Sequence, residues 1–505
     1  MTELLLRDIC RWTQARNLTG DTAEPERLIS AICTDSRAVK PGCLFLALHG
    51  EHFDGHSFLL QAAAQGAGAL MIDDRSVYDH LAGRDQTAET TLIAYLPVLL
   101  VNNTLQALQD IAAGYRLMLT APVVAITGSV GKTSTRLMVS ACLQTAFQVH
   151  QTAGNLNNEI GLPQTLLQAE PDDRAVVVEM GMRGPGEIAM LSRIAQPDIA
   201  MITCIGWSHI GRLGSREAIL AAKSEILQGL RPGGLLVLNA DDPLLRQLGM
   251  NLAGRLRVAY ITCDQTALPA GSEQARQAAF IIRADQVETN GSQVSFHVHL
   301  SQMDEDEQEL PVRLPFPGLH HVRNTLFGLA AAHALQLDLA SAARGAAEYR
   351  NTGSRQRVLS LAGITLMDDS YNAGPESMQA ALETLAGMAG SEHRKIAALG
   401  CMLELGDFAP EAHRQVGEWV ARLDYQLLLV FGPNGEDILV GARSVRPDLP
   451  SCDCCDHQEM ADRLMAALQP GDYLLVKGSR GFAMEHVVEK VADSLEKRPV
   501  LSCAT

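Results

Sequence analysis

Short unbroken runs of apolar residues recur along the chain, separated by stretches whose apolar positions follow a helical period. Val123-Val124-Ala125-Ile126, Ala175 to Val178, Ile199 to Ile205 and Leu235 to Leu238 are such runs. A strand buried on both faces has no need to alternate, so these runs with helices between them predict a parallel sheet. The same rhythm returns at Ile364 to Met367, Ile396 to Leu399, Leu427 to Phe431 and Tyr473 to Val476, which predicts a second, doubly wound sheet. Between them, from about Tyr260 to Leu314, the rhythm changes. Gln293-Val294-Ser295-Phe296-His297-Val298 alternates and predicts an antiparallel strand, and the acidic run Asp304-Glu305-Asp306-Glu307 predicts a solvated hairpin tip. Toward the amino end the pattern predicts an amphipathic opening helix, a strand running into Thr34-Asp35-Ser36-Arg37, a Pro41-Gly42 turn and a short strand from Leu44 to Leu48. The stretch Gln86 to Leu96 is expected to be a surface elaboration.

These patterns divide the chain into three expected domains: 1–118, mixed α/β; 119–350, built on a central parallel sheet; and 351–505, doubly wound. A length of 505 residues fits about three domains at roughly 150 residues each. With 47% hydrophobic and 20% charged residues, the composition excludes bulk disorder and fibrous repeats. The net charge of −17 repels polyanions, so nucleic-acid binding is not expected and any phosphate chemistry needs a local cationic pocket. No apolar run reaches the roughly 20 residues of a spanning helix. Glu3, Arg7 and Asp8 interrupt the leucines of the amino-terminal segment, so a cytoplasmic location without membrane insertion is expected. Eleven cysteines are scattered, with one cluster at Cys452, Cys454 and Cys455 beside His457. Adjacent Cys454 and Cys455 are poor partners for tetrahedral zinc, so reduced thiols are expected there.

The strongest chemical signal follows the strand Val123 to Ile126. Thr127-Gly128-Ser129-Val130-Gly131-Lys132-Thr133 precedes an expected helix from Ser134 to Leu143. Glycines let backbone N–H groups converge on phosphate oxygens, the helix terminus adds its dipole, Lys132 reaches the β- and γ-phosphates and Thr133 offers a hydroxyl to Mg²⁺. The first glycine of the general Walker pattern is here Ile126, still in the strand, which implies a shortened loop. Such a loop leaves kinases, ATPases and ligases open. Glu179, after Ala175 to Val178, and His209, after Ile199 to Ile205, stand where ligands bind in open α/β sheets. Lys223 lies in an expected helix from Ser215 to Leu230, and as a solvated residue it would pair with Glu217 or Glu225.

Taken together, the phosphate loop, Gly154-Asn155-Leu156-Asn157-Asn158-Glu159-Ile160-Gly161-Leu162-Pro163, Glu179-Met180-Gly181 and His209 resemble the Mur ligase family. The resemblance extends to Asp368-Asp369-Ser370-Tyr371-Asn372-Ala373-Gly374-Pro375-Glu376-Ser377-Met378, Met402-Leu403-Glu404-Leu405-Gly406 and Lys477-Gly478-Ser479-Arg480-Gly481. It also takes in Thr34-Asp35-Ser36-Arg37 and Asp54-Gly55-His56. It implies a uridine-nucleotide domain, a central ATP-binding domain and a Rossmann-like carboxy-terminal domain. The implied reaction is ATP-dependent, ADP-forming amide synthesis in peptidoglycan assembly. It joins D-alanyl-D-alanine to UDP-N-acetylmuramoyl-tripeptide through an acyl phosphate, in a chain expected to be monomeric. By the same resemblance Gly128, Ser129, Val130, Gly131, Lys132, Thr133 and Ser134 cradle the nucleotide, and Asn324 contacts adenine. Arg355 would hold the phosphates, with Asp369 and Asn372 on the ribose or base. Thr133, Glu179, His209 and a carbamylated Lys223 would hold two Mg²⁺ ions. Ser36, Arg37, Asp54, His56, Asn155 and Asn158 would bind the uridine-linked substrate. Three positions depart from the family pattern: His321 for Asn, Gly374 for Asn, and Ser354-Arg355 for Gly-Arg. They fall at the implied nucleotide-binding hinge and bear on nucleotide affinity or base choice more than on reaction type; a relative that couples another amine to another carrier-bound acid and an ATP-gated binding protein stand as alternative readings.

Overall fold

Apolar, β-branched runs become the strands, and the residues that end them decide where the chemistry sits. The computed structural model describes residues 3–19, 26–50, 53–82, 93, 95–269, 271–303, 306–351 and 353–497. The expected elaboration at 86–96 lies outside these residues except for 93, 95 and 96, and so do Asp304 and Glu305 of the acidic run. The chain forms two compact units: residues 1–126, 146–200 and 225–234, and residues 127–145, 201–224 and 235–505.

In the first unit a five-stranded sheet runs in the order Arg16–Asn17, Val98–Leu100, Ala69–Ile72, Leu44–Leu46, Ile32–Cys33, parallel except for its first pair. Phe45, Leu59, Leu70, Ile72 and Val98 form its core. The strand expected to reach Leu48 stops at Leu46, because the Leu48 N–H turns back onto the Leu46 carbonyl at 3.1 Å. Ala175–Glu179 lies parallel to both Val123–Thr127 and Val149–Gln151, its Val178 in register with Ala125. Helix Thr104–Met118 opens on Asn103, whose side chain accepts from Gln106 N–H. It carries the buried Arg116, which donates to the carbonyls of Ala195 (2.8 Å) and Gln196 (3.1 Å) and pairs with Asp198 at 2.8 Å.

In the second unit helix Lys132–Leu143 packs on helices His320–Ala334 and Leu339–Ala347. The approach is close enough that a Cβ on Gly328 would lie 2.5 Å from Cys142 Sγ. The helix starts two residues before the expected Ser134 because Gly131, with φ of 83°, serves as its cap. Strands Leu235–Asn239, Arg257–Thr262 and Ile281–Thr289 are parallel, and Val294–Ser301 and Gln308–Leu314 continue the sheet antiparallel, as the alternation predicts. The run expected to extend from Ile199 to Ile205 is a strand only to Ile202. The backbone groups beyond it are engaged elsewhere. The helix expected over Ser215 to Leu230 is Arg216–Ser224, followed by a tighter turn, Glu225–Gln228.

The carboxy-terminal sheet has the order Arg357–Leu361, Ile364–Asp369, Tyr473–Lys477, Lys395–Gly400, Leu427–Phe431, Ser451–Cys454, all parallel but the first pair. Cys452 and Cys454 lie on its last strand, and His457 Nε2 is 2.7 Å from the Phe482 carbonyl. Among the described residues no helix is long and apolar enough to cross a membrane. Arg116→Ala removes the donor to the carbonyls of Ala195, Gln196 and Leu119 and one of the partners of the Asp198 carboxylate. It should cost about 3 kcal/mol of stability, read as a lower midpoint in urea denaturation.

Candidate active site

Two glycines set the shape of the phosphate loop. Gly128 has φ of 148°, and a Cβ there would meet Thr203 Oγ1 at 1.9 Å, so no other residue fits. Gly131 is left-handed. The segment after strand Ile199–Ile202 holds the loop: Ser129 N–H donates to the Cys204 carbonyl at 2.9 Å and Thr203 Oγ1 donates to the Val130 carbonyl at 2.6 Å. Thr203 N–H donates to Thr127 O at 3.0 Å, and Ser208 Oγ donates to Ser129 O at 3.2 Å. These bonds use the groups that would have prolonged the strand to Ile205. Lys132 folds over the loop, its ammonium donating to the carbonyls of Gly128 (2.8 Å) and Ser129 (3.3 Å). Thr133 is buried in the first helical turn beside Ser134, where the N–H groups and the helix dipole favour an anion.

Thr135 Oγ1 donates to Asn324 Oδ1 at 3.0 Å, so the residue expected at adenine sits in the seam between two helices. Lys223 is completely buried on helix Arg216–Ser224 and is not the solvated residue that pairing with Glu217 or Glu225 would make it. In the first unit the Glu225 carboxylate instead accepts the N–H groups of Gly186 (2.7 Å) and Ala189 (3.1 Å). His209, left-handed at φ of 66°, has Nδ1 2.6 Å from Glu404 Oε2.

At the carboxyl ends of the last sheet, Asp369 accepts from Lys477 Nζ at 2.7 Å and from Gln356 N–H at 3.2 Å. Burial raises the Asp369 carboxyl above its ordinary value against the pull of Lys477. The same ammonium donates to the Asn372 carbonyl at 2.8 Å, and the Arg355 guanidinium stacks 4.0 Å above the Tyr371 ring. Asp369, Asn372 and Arg355 therefore share one end of the sheet, organised by Lys477 and Tyr371, to which the sequence reading gave no role.

In the first unit Glu179 ends its strand buried, with Oε1 accepting from Asn157 Nδ2 at 2.7 Å and its N–H donating to Thr152 Oγ1 at 3.0 Å. Of the neighbouring asparagines, Asn155 is exposed and Asn158 Oδ1 accepts from Gly161 N–H at 2.9 Å, so the unselected Asn157 is the one that orients the carboxylate. Ser36 is buried at the start of a short turn whose Asp35 and Arg37 are paired at 2.7 Å, and the Arg37 guanidinium holds Asp35 down to about 2. Among the described residues the only close group of three His, Cys, Asp or Glu is His49, Asp54 and His56. His56 Nδ1 lies 2.7 Å from Asp54 and its Nε2 3.4 Å from the Asp73 N–H, so both ring nitrogens are used in holding the turn.

Family models match three successive stretches: "Mur ligase family, catalytic domain" over 28–116, "Mur ligase middle domain" over 126–332 and "Mur ligase, glutamate ligase domain" over 354–480. A UDP-N-acetylmuramoyl-tripeptide--D-alanyl-D-alanine ligase of Synechocystis sp. is 37% identical, over 97% of this chain and 98% of its own length. The chain belongs to the Mur ligase family. The enzyme of the same name from Escherichia coli is 33% identical over 94% of this chain and 97% of its own. Among solved structures, MurF from Acinetobacter baumannii superposes with a TM-score of 0.82 at 27% identity, covering 98% of this chain and 99% of that one. MurF from Thermotoga maritima in complex with ADP gives 0.74 at 25% identity, covering 93% and 98%. The α/β architecture with parallel sheets is thus that of a three-domain Mur ligase.

Within this Mur ligase two of the departures have a structural account. Gly374 is extended at φ of −153°, and a Cβ would come no closer than 3.7 Å to Ser208 Oγ, so nothing at the position demands glycine. His321 packs among Phe316, His320 and Tyr349 with ring centroids 4.8, 4.1 and 5.2 Å away, and its Nδ1 has no hydrogen-bond partner among the described residues. Burial, aided by His320, holds His321 well below the usual imidazole value. Burial, with Arg323 and Lys477 adding to it, lowers His320 to about 4. The folded state therefore resists protons that the unfolded chain accepts at roughly pH 6.5, so stability falls as pH drops below that value. His321→Asn should flatten the loss between pH 7.5 and 5 by on the order of 1–2 kcal/mol, measured as the slope of urea-denaturation free energy against pH.

Proposed function

We propose that this chain joins D-alanyl-D-alanine to UDP-N-acetylmuramoyl-tripeptide with conversion of ATP to ADP and phosphate, in peptidoglycan precursor synthesis. The observation that carries the reading is a full-length likeness to ligases of that name in a chain whose phosphate loop keeps Gly128, Gly131, Lys132 and Thr133. Residues 1–118 would bind the uridine nucleotide through Ser36, Arg37, Asp54 and His56, with Asn155 and Asn158 toward the peptide. Residues 119–350 would hold ATP, and residues 351–505 would close on it. The reaction belongs to the cytoplasm, and a monomer suffices for it.

Amide formation from a carboxylate and an amine is uphill in water, so the acid is activated first. A carboxylate oxygen of the tripeptide attacks the γ-phosphorus, the bond to the bridging oxygen of ADP breaks, and an acyl phosphate results. The D-alanyl-D-alanine amine then attacks the acyl carbon, a proton leaves the nitrogen, and inorganic phosphate departs. The nucleophiles belong to the substrates, so the protein supplies position and charge. Lys132 releases its loop carbonyls to meet the phosphate oxygens. The amino end of helix Lys132–Leu143 adds its dipole, and Arg355 neutralises charge from the carboxy-terminal sheet. Asp369 and Asn372 orient the ribose or base, with Asn324 toward the adenine.

The donor set suits magnesium. The Thr133 hydroxyl and the Glu179 carboxylate are hard oxygen ligands, and Asn157 holds that carboxylate in one orientation. A buried amine is a poor ligand for a hard cation, whereas Lys223 as a carbamate would offer an oxygen donor, with His209 as a further ligand. Magnesium, when bound, neutralises the oxygens that gain charge in the transfer. The surroundings of Gly374 and His321 give no specific ground for a different amine or acid. Gly374 tolerates a side chain, and His321 is spent in a ring cluster.

ADP release should require both UDP-N-acetylmuramoyl-tripeptide and D-alanyl-D-alanine for sustained turnover. ADP formation with neither, or with unrelated acids and amines only, would reject the assignment. Lys132→Ala should lower ADP formation about a thousandfold at an unchanged melting temperature. Lys223→Ala should lose activity and recover part of it in formate or acetate, and a flat response to both acids would remove the carbamate.

A further inference from the structure

The turn that carries His209 is gripped by two segments of the carboxy-terminal region, within the second unit. His209 Nδ1 is 2.6 Å from Glu404 Oε2, and two residues on, Gly211 N–H donates to the Glu404 carbonyl at 3.0 Å. The backbones touch. A Cβ on Gly211 would lie 2.4 Å from Gly406 N, and one on Gly406 2.8 Å from Gly211 Cα. On the amino side Trp207 N–H donates to Glu376 Oε1 at 2.9 Å, and the Trp207 ring meets Phe408 edge-on at 5.4 Å. Trp207, His209 and Gly211 are therefore held by Glu376, Glu404, Gly406 and Phe408.

Docking alone does not need a carboxylate at 404. The backbone bond, the glycine contact and the aromatic pair already fix the two segments together. The carboxylate adds an acceptor aimed at one nitrogen of one imidazole. An imidazole that donates from Nδ1 keeps its lone pair on Nε2, in the tautomer and ring orientation a metal ligand requires. Both partners also sit in the left-handed region, His209 at φ of 66° and Glu404 at 63°, a conformation non-glycine residues adopt at a cost.

We propose that Glu404 is a positioning residue for His209: it fixes the imidazole with Nε2 available to a divalent cation, so that the carboxy-terminal region completes the metal site as it docks. The proposal rests on the reading above of His209 as a cation ligand. The Mg²⁺ affinity of the nucleotide complex then depends on a side chain from the region that also carries Arg355 and Asp369, which links cation retention to docking.

Mn²⁺ titration of the full chain with ADP, followed by electron paramagnetic resonance, tests this without turnover. Glu404→Ala should weaken Mn²⁺ binding about tenfold, and Glu404→Gln, which keeps an acceptor oxygen, should restore part of the loss. The radius of gyration by X-ray scattering, ADP affinity in chelator and the melting temperature should all stay at parental values. Glu404→Ala within twofold of the parent, with His209→Ala impaired, overturns the proposal and leaves the site reading intact. Parental Mn²⁺ binding in His209→Ala overturns the site reading itself. Equal losses in Glu404→Ala and Gly211→Ala, with no recovery in Glu404→Gln and an expanded particle, assign Glu404 to docking alone and reject the proposal.

Discussion

A phosphate loop one glycine short of the general pattern must be held open by something other than its own sequence, and here the end of a neighbouring strand does it. Thr203 and Cys204 leave the ladder after Ile202 and bond to Thr127, Ser129 and Val130. That exchange leaves the buried backbone groups paired, as they must be, and leaves no room at Gly128 for even a methyl group. The loop is thus a joint product of two strands. The segment that clamps it runs on directly to Trp207, Ser208 and His209, so loop geometry and the placement of His209 share one piece of backbone.

Cations are the scarce resource in a chain of net charge −17. Surface carboxylates lower the affinity of the whole molecule for anions, so the lysines that matter are those shielded from solvent. Lys223 and Lys477 are buried, and Lys132 lies over the loop. Lys477 illustrates the principle. Its ammonium is divided between the Asp369 carboxylate and the Asn372 carbonyl, which fixes two residues at one end of the sheet with one charge. Arg116 does the corresponding work in the first unit, tying a helix end to the turn at Ala195 to Asp198.

The parallel strands and their order of appearance were legible because buried strands advertise themselves as unbroken apolar runs, and the phosphate loop because Gly-Lys-Thr after a strand has few other uses. Strand and helix ends were not legible at Leu46, Ile202 and Ser224. In the first two cases the composition continues past the end, and hydrogen bonds to distant segments decide it. The same limit hid Asn157. The three asparagines near Asn155 look alike in sequence, and only the register of Ala175–Glu179 against Val149–Gln151 brings the middle one to Glu179. Glu404 and Lys477 stood in quoted motifs, yet their partners, His209 and Asp369, lie 195 and 108 positions away, a separation no local pattern encodes. Gly374 and His321 each depart from a family pattern, and their surroundings were equally hidden: one is extended backbone and the other a ring in an aromatic cluster, which only the fold shows.

Two non-glycine residues in the left-handed region facing each other at 2.6 Å argue for mutual support rather than coincidence. Each such residue costs of the order of 1–3 kcal/mol and persists only where its surroundings over-determine it. For His209 the surroundings include the Arg212 and Leu213 N–H groups, which both donate to its carbonyl at 3.0 Å, and the Glu404 carboxylate on its ring. For Glu404 they include the Gly211 N–H on its carbonyl. Neither turn is held by its own sequence alone. When the segments separate, His209 loses the acceptor that fixes its ring and Glu404 loses the donor that fixes its backbone. The strain is therefore best tolerated in the docked state, and that gives the turn a reason to present its imidazole there and not elsewhere.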